Sequence, residues 1–246
     1  MSNSNRTKVL LFLLVLLPLN TLTAQTSSIR PELIRSGVDT LYSYLINRSD
    51  TVEIGFVIDE ISRVPGGDRS TIRRVYISQD QVRGISVDTI LDDALTLKPI
   101  ALRHRSSGNL ALFDFGEELV EGWMMLANGD SVAVSTPISN KVYGSSTFDL
   151  VLRSSPLEEG WRTEVSAFLA STRTAVPLQA RVDGSEDIGG NPAWRIQADF
   201  AGTPVTFWVD KASRSLVRQS MRINPDLELL TTAQRRQTPE NRQRTL

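Results

Sequence analysis

The chain has 246 residues, with 27 basic and 28 acidic side chains, one histidine and no cysteine. Without cysteine there are no disulfides and no lipidated N-terminal cysteine, and a single histidine cannot build the usual zinc or copper ligand sets, so no metal or cofactor is expected. A net charge of −1 without a basic stripe argues against nucleic acid as a partner.

Met1 to Ala24 reads as a secretory signal peptide (residues 1–24), with Arg6 and Lys8 as the positive start, Val9 to Leu17 as the apolar core and Leu22-Thr23-Ala24 as the cleavage site. The nine apolar residues before Pro18 fall short of the roughly 20 that a spanning helix needs. Cleavage is therefore expected, giving a periplasmic or secreted protein of charge about −3 that does not span a membrane. The remaining chain fits one large β domain over residues 25–223, and residues 224–246 read as a polar, mobile tail.

In chain order, Val38 to Ile46 and Thr51 to Ile61 alternate around an Asn47-Arg48-Ser49-Asp50 turn, and the alternation puts Val52, Ile54, Phe56 and Ile58 on one face. Further strands are expected over Ile72 to Ser78 and Gln81 to Ile90, although Asp88 to Ala94 also reads as a helical turn. Leu95 to His104 and Asn109 to Phe115 form another pair, and Glu118 to Leu126 and Ser131 to Ser135 flank Asn128-Gly129-Asp130. Asn-Gly between alternating apolar runs is a strong hairpin signal.

One helix is expected between Ser145 and Ser155. Ser145 or Ser146 can cap it, Asp149 suits the positive end of its dipole, Phe148, Val151 and Leu152 form a stripe at i, i+3 and i+4, and Pro156 ends it. Trp161 to Leu169 and Leu178 to Asp183 are further strands. Next comes a meander of three: Trp194 to Phe200, with Trp194, Ile196, Ala198 and Phe200 on the apolar face; Val205 to Asp210; and Leu216 to Ile223. The apolar stripe of a lone helix needs a partner surface, which predicts a mostly β fold: a curved antiparallel sheet, a half-barrel or open barrel, with one amphipathic helix over its concave face.

The strand ending Phe207-Trp208-Val209-Asp210 with its return strand Leu216-Val217-Arg218, the opening hairpin containing Gly55, and the segment Phe148 to Arg153 followed by Pro156-Leu157 and Gly160-Trp161 resemble the half-barrel superfamily of periplasmic lipoprotein carriers (LolA, LolB and LppX types) and its secreted relatives. The resemblance implies an exported, non-enzymatic protein that holds a lipid or lipoprotein acyl chain in its concavity.

Signatures of a reaction are sparse. His104 lies between Arg103 and Arg105, cations expected to lower its pKa, and no Ser, Cys or acid stands near it at the sequence spacing of a triad. The doublets Asp92-Asp93, Glu117-Glu118 and Glu158-Glu159 point to opposite faces of a strand and read as solvated. Gly66-Gly67 and Gly189-Gly190 are turns, lacking the lysine of a phosphate loop. The remaining candidates are apolar: Phe148, Val151, Leu152, Trp194, Phe200 and Phe207 are expected to line a ligand cavity, against the plainer reading that each fills a core. Trp208 falls on the face opposite Phe207 and reads as a contact residue. An envelope hydrolase is the weakest reading, because no nucleophile and base can be identified, and two other functions fit this pattern better. One is an apolar-ligand carrier; the other is an envelope interaction or assembly module with a filled interior and an envelope protein as partner.

Overall fold

The computed structural model describes residues 29–236, except 49, 68, 82–83 and 140–141. The expected signal peptide lies outside the described residues. Among them, no helix is long and apolar enough to cross a membrane.

Two meanders make one sheet. The first runs β1 (Gly37–Asn47), β2 (Asp50–Val64), β3 (Thr71–Asp80), β4 (Gly84–Asp93), β5 (Pro99–Ser106), β6 (Asn109–Phe115), β7 (Leu119–Met125) and β8 (Ser131–Pro137). The second begins with β9 (Val142–Gly144) and a 3-10 turn, Ser145–Thr147, that leads into helix α1 (Phe148–Ser154). It continues through β10 (Arg162–Leu169), β11 (Thr174–Ile188), β12 (Asn191–Phe200), β13 (Thr203–Asp210), β14 (Leu216–Asn224) and β15 (Leu227–Thr232). Among the described residues all 15 strands share one sheet, in the order β8 to β1 followed by β15 to β9, and of these pairs only β9–β10 is parallel. Helical structure at Asp88 to Ala94 is not formed, because β4 continues through Asp93.

The two meanders join where β1 pairs with β15, Tyr42 opposite Thr232. This corrects the tail reading: residues 227–232 are a strand in the middle of the sheet, hydrogen-bonded to β1 on one side and β14 on the other. The sequence Leu227-Glu228-Leu229-Leu230 breaks strict alternation, and burial on both flanks supplies what the pattern does not.

The β1–β2 ladder shifts register between Ser43 and Tyr44, where Ile54 is the extra residue of a bulge. The bulge switches faces. Val57 and Ile61 turn inward and are buried, whereas Phe56 and Ile58 are half-buried on the other side, so the expected single face of Val52, Ile54, Phe56 and Ile58 does not form. Gly55 sits at this point because a Cβ there would lie 1.9 Å from the carbonyl oxygen of Gln79.

The sheet curls without closing. Phe168 of β10 meets Phe113 and Phe115 of β6 edge-on, at 5.5 and 5.4 Å between ring centres, and Thr136 donates to the carbonyl of Arg173 at 2.9 Å. These contacts bring the two ends of the sheet together through side chains. Inside the curl, α1 lies on the apolar face of β11, β12 and β13, against Leu178, Ile196 and Phe207. The helix is shorter than its capping signals suggest, and no side-chain hydrogen bond caps it. All seven of its residues are buried, so it is wrapped on every side.

Candidate functional site

The six apolar residues singled out from the sequence gather in one cluster under α1. Phe148, Val151, Leu152 and Phe207 are buried, and Trp194 and Phe200 pack against them half-buried. Phe148 stands edge-on to Phe200 and Phe207 at 5.3 and 6.0 Å, a geometry that favours aromatic pairs. Trp194 carries the Lys211 ammonium over its ring at 3.8 Å. The alternation of β12 and β13 and the 3.6-residue period of α1 bring these side chains together as expected. In the structure they belong to one apolar cluster between helix and sheet, and the three phenylalanine rings meet one another.

Beside this apolar seat lies a charged one. Arg74 of β3 reaches inward and donates to Asp59 at 2.7 and 2.8 Å, to Asp149 of α1 at 2.6 and 3.1 Å, and to the carbonyl of Ser146 at 2.7 Å. Burial penalises its charge, but the two carboxylates outweigh this and hold its pKa well above the usual value. Arg153 adds an ion pair to Asp149 at 3.7 Å and donates to the carbonyl of Arg214 at 2.8 Å. Asp92 corrects the reading of the acidic doublets as solvated. It is fully buried, and burial pushes its carboxyl up to about 8 against a hydrogen bond from Thr147 and the charge of Arg74, which favours its neutral form.

His104 also departs from expectation. Arg103 and Arg105 alternate to the other face of β5, and the imidazole meets Asp88 of β4 instead, its Nδ1–H donating at 2.5 Å. The hydrogen bond to Asp88 raises its pKa, outweighing partial burial. Ser106, two residues along the same face, lies 3.2 Å from Nε2. Asp88, His104 and Ser106 thus stand in the order of a nucleophilic triad, a juxtaposition that sequence spacing hides because it needs the β4–β5 register. β5, which carries His104 and Ser106, is laddered on both sides, by β4 and β6. Among the described residues no three His, Cys, Asp or Glu side chains converge as a metal site.

On the face of β10 to β14 opposite α1, a groove of about 680 Å³ is open to solvent. Strand register arranges its floor in two rows. Arg162, Arg181, Gln197, Thr206 and Ser220 form one; Glu164, Gln179, Asp199, Pro204 and Arg222 form the other. Cross-strand hydrogen bonds order several of these side chains, Arg181 to Gln197 at 2.9 Å and Gln179 to Glu164 at 3.2 Å, and within the β12–β13 turn the amide of Gly202 donates to Asp199 at 2.5 Å. One row further, Trp208 is half-buried, its Nε1–H donating to Glu186 at 2.8 Å and its ring facing the Arg218 guanidinium at 5.4 Å. Each strand's polar alternation was legible in the sequence. The rows were not, because they exist only once five strands are in register.

No protein-family model and no curated protein matches the chain. Among solved structures, a β-barrel-like protein of a domain of unknown function, DUF1849, from Brucella abortus is similar over 83% of this chain and 96% of its own, at 11% identity and a TM-score of 0.50. A DUF1329 family protein from Desulfovibrio piger aligns over 82% of this chain and 85% of its own at 10% identity, with a TM-score of 0.26. The first likeness shows a barrel-like fold, in keeping with a half-barrel; the lipoprotein-carrier superfamily itself is not among these matches.

Proposed function

We propose that the protein is an exported binding module that works through the polar face of β10 to β14, with a filled interior and a component of the cell envelope as its partner. The observation that carries this reading is the seat of α1. Every helical residue is buried, aromatic edges close the apolar side, and Arg74 ties the other side to the sheet. An acyl chain held beneath α1 would have to lift the helix, exposing Phe148 and Leu152 and separating buried charges, before gaining about 0.8 kcal/mol per methylene. The outer groove demands no such rearrangement: it is open and lined by groups that donate and accept hydrogen bonds.

Site-specific photo-crosslinking in the producing cell tests this. A photoreactive residue at Gln197, on the groove floor, should give an adduct, and one at Leu152, under the helix, should give none. A lipid adduct from position 152 with none from 197 reverses the assignment in favour of a carrier. Export is tested on the same material, since the N-terminus of the protein should begin at or near Gln25.

A further inference from the structure

We infer that the groove recognises an acidic glycan, a polyhydroxylated chain bearing carboxylate, sulfate or phosphate groups, and that Arg162 and Arg181 bind its anionic group. This rests on the reading of the groove as the binding face.

Arg162 and Arg181 are direct partners in the β10–β11 ladder, so their side chains leave the same face side by side. Like charges placed opposite one another in a sheet destabilise it. Some arginines elsewhere on the protein meet acids: Arg195 with Asp183 at 2.9 Å, the half-buried Arg218 with Glu186 at 3.5 Å and Arg235 with Glu53 at 2.6 Å. Arg162 and Arg181 form no ion pair among the described residues, and Arg181 donates only to the neutral amide of Gln197. The nearby carboxylates are engaged otherwise, Glu164 by Gln179 and Asp199 by the Gly202 turn. An anion seated between the two guanidiniums would relieve their repulsion and occupy planar donor forks suited to carboxylate, sulfate or phosphate.

The rest of the row specifies the remainder of the ligand. Thr206 offers a hydroxyl that both donates and accepts, as sugar hydroxyls require, while Gln197, which accepts from Arg181 and donates to Asp183, and Ser220, which donates to Glu228, keep a second amide hydrogen and remaining lone pairs for a ligand. From β10 to β14 the row crosses four strand spacings, roughly 19 Å, so the ligand is extended. Arg222, with no ion pair among the described residues, supplies a further cation on β14. A peptide is the weaker fit, because the main-chain groups of these strands are spent in the ladder and an extended peptide gains most at a free sheet edge. A polyphosphate would meet Glu164 and Asp199 on the same floor.

Isothermal titration calorimetry with an oligogalacturonate hexamer, a sulfated oligosaccharide, neutral maltohexaose and hexaglutamate tests the inference. One or both acidic glycans should bind, less tightly as salt rises, whereas maltohexaose and hexaglutamate should not. Arg162→Ala and Arg181→Ala should each weaken binding about tenfold or more. Both variants should remain folded, since each removes a repulsion, and circular dichroism checks this. Arg105→Ala, exposed and remote from the groove, should bind like wild type. Equal binding of maltohexaose or hexaglutamate, or unchanged affinity in both arginine variants, overturns the inference. Silence with every probe also overturns it, while a crosslink from position 197 in the same situation would leave the groove as the binding face and rule out only this ligand class.

Discussion

Arg74 of β3 and Asp149 of α1 meet at 2.6 Å with 3% and 9% of their side chains exposed, and this contact anchors the helix to the sheet. Ion pairs so deep in a protein often add little net stability, but removing one partner strands the other's charge. Arg74→Met leaves Asp59 and Asp149 facing each other in a site sealed from water, and should cost about 3–5 kcal/mol in urea denaturation. The triple change Arg74→Met, Asp59→Leu, Asp149→Leu should recover most of that loss. A single-variant loss below about 1 kcal/mol would mean that the anchor holds nothing.

Asp92 makes the same seat sensitive to pH. Its carboxyl is held at about 8 in the folded protein, chiefly by burial, against an unfolded value of 3.8. The folded state therefore binds the proton more tightly. The stability this contributes is complete below the unfolded pKa and is lost as pH rises through about 8. Asp92→Asn should remove that decline, so the variant gains on wild type between about pH 5 and pH 9 in parallel denaturation series. Curves that stay parallel across the window would show that Asp92 does not titrate there.

His104 is the one imidazole in the chain, so its titration can be followed by NMR without assignment. The hydrogen bond to Asp88 should place its midpoint above the ordinary 6.5, and Asp88→Asn should bring it down. The stabilisation it gives is present below 6.5 and fades as pH passes the raised midpoint. A midpoint unaffected by Asp88→Asn would break the pairing.

Much of the sheet can be read from single strands. Period-2 alternation in β12 and β13 locates Ile196 and Phe207 inside and Gln197 and Trp208 outside, and the Asn128-Gly129 turn marks its hairpin. What sequence does not reveal depends on partners distant along the chain. The bulge at Ile54 reverses the faces of β2, β15 is identified by its neighbours rather than its pattern, and Asp88 reaches His104 only through register. The apolar candidate residues were legible as a group. Whether they enclose or fill a space is decided by α1, whose short sequence is apolar enough for either.

The position of β15 gives a direct test of the topology. Ending the chain after Asn224 removes the strand that bridges β1 and β14 and separates the two meanders. Such a protein should lose its cooperative thermal transition by far-UV circular dichroism. A cooperative melt close to that of the full chain would contradict the central placement of residues 227–232.

Native mass spectrometry of protein isolated from its own cells, without detergent, addresses the filled interior most directly. On the proposed reading, in which Phe148 and Leu152 of α1 pack on Phe207 and leave no ligand site, the expected mass is that of the polypeptide without an acyl-lipid adduct. A stoichiometric lipid adduct, present in wild type and absent from a folded Leu152→Glu variant, would contradict it and establish a ligand under the helix.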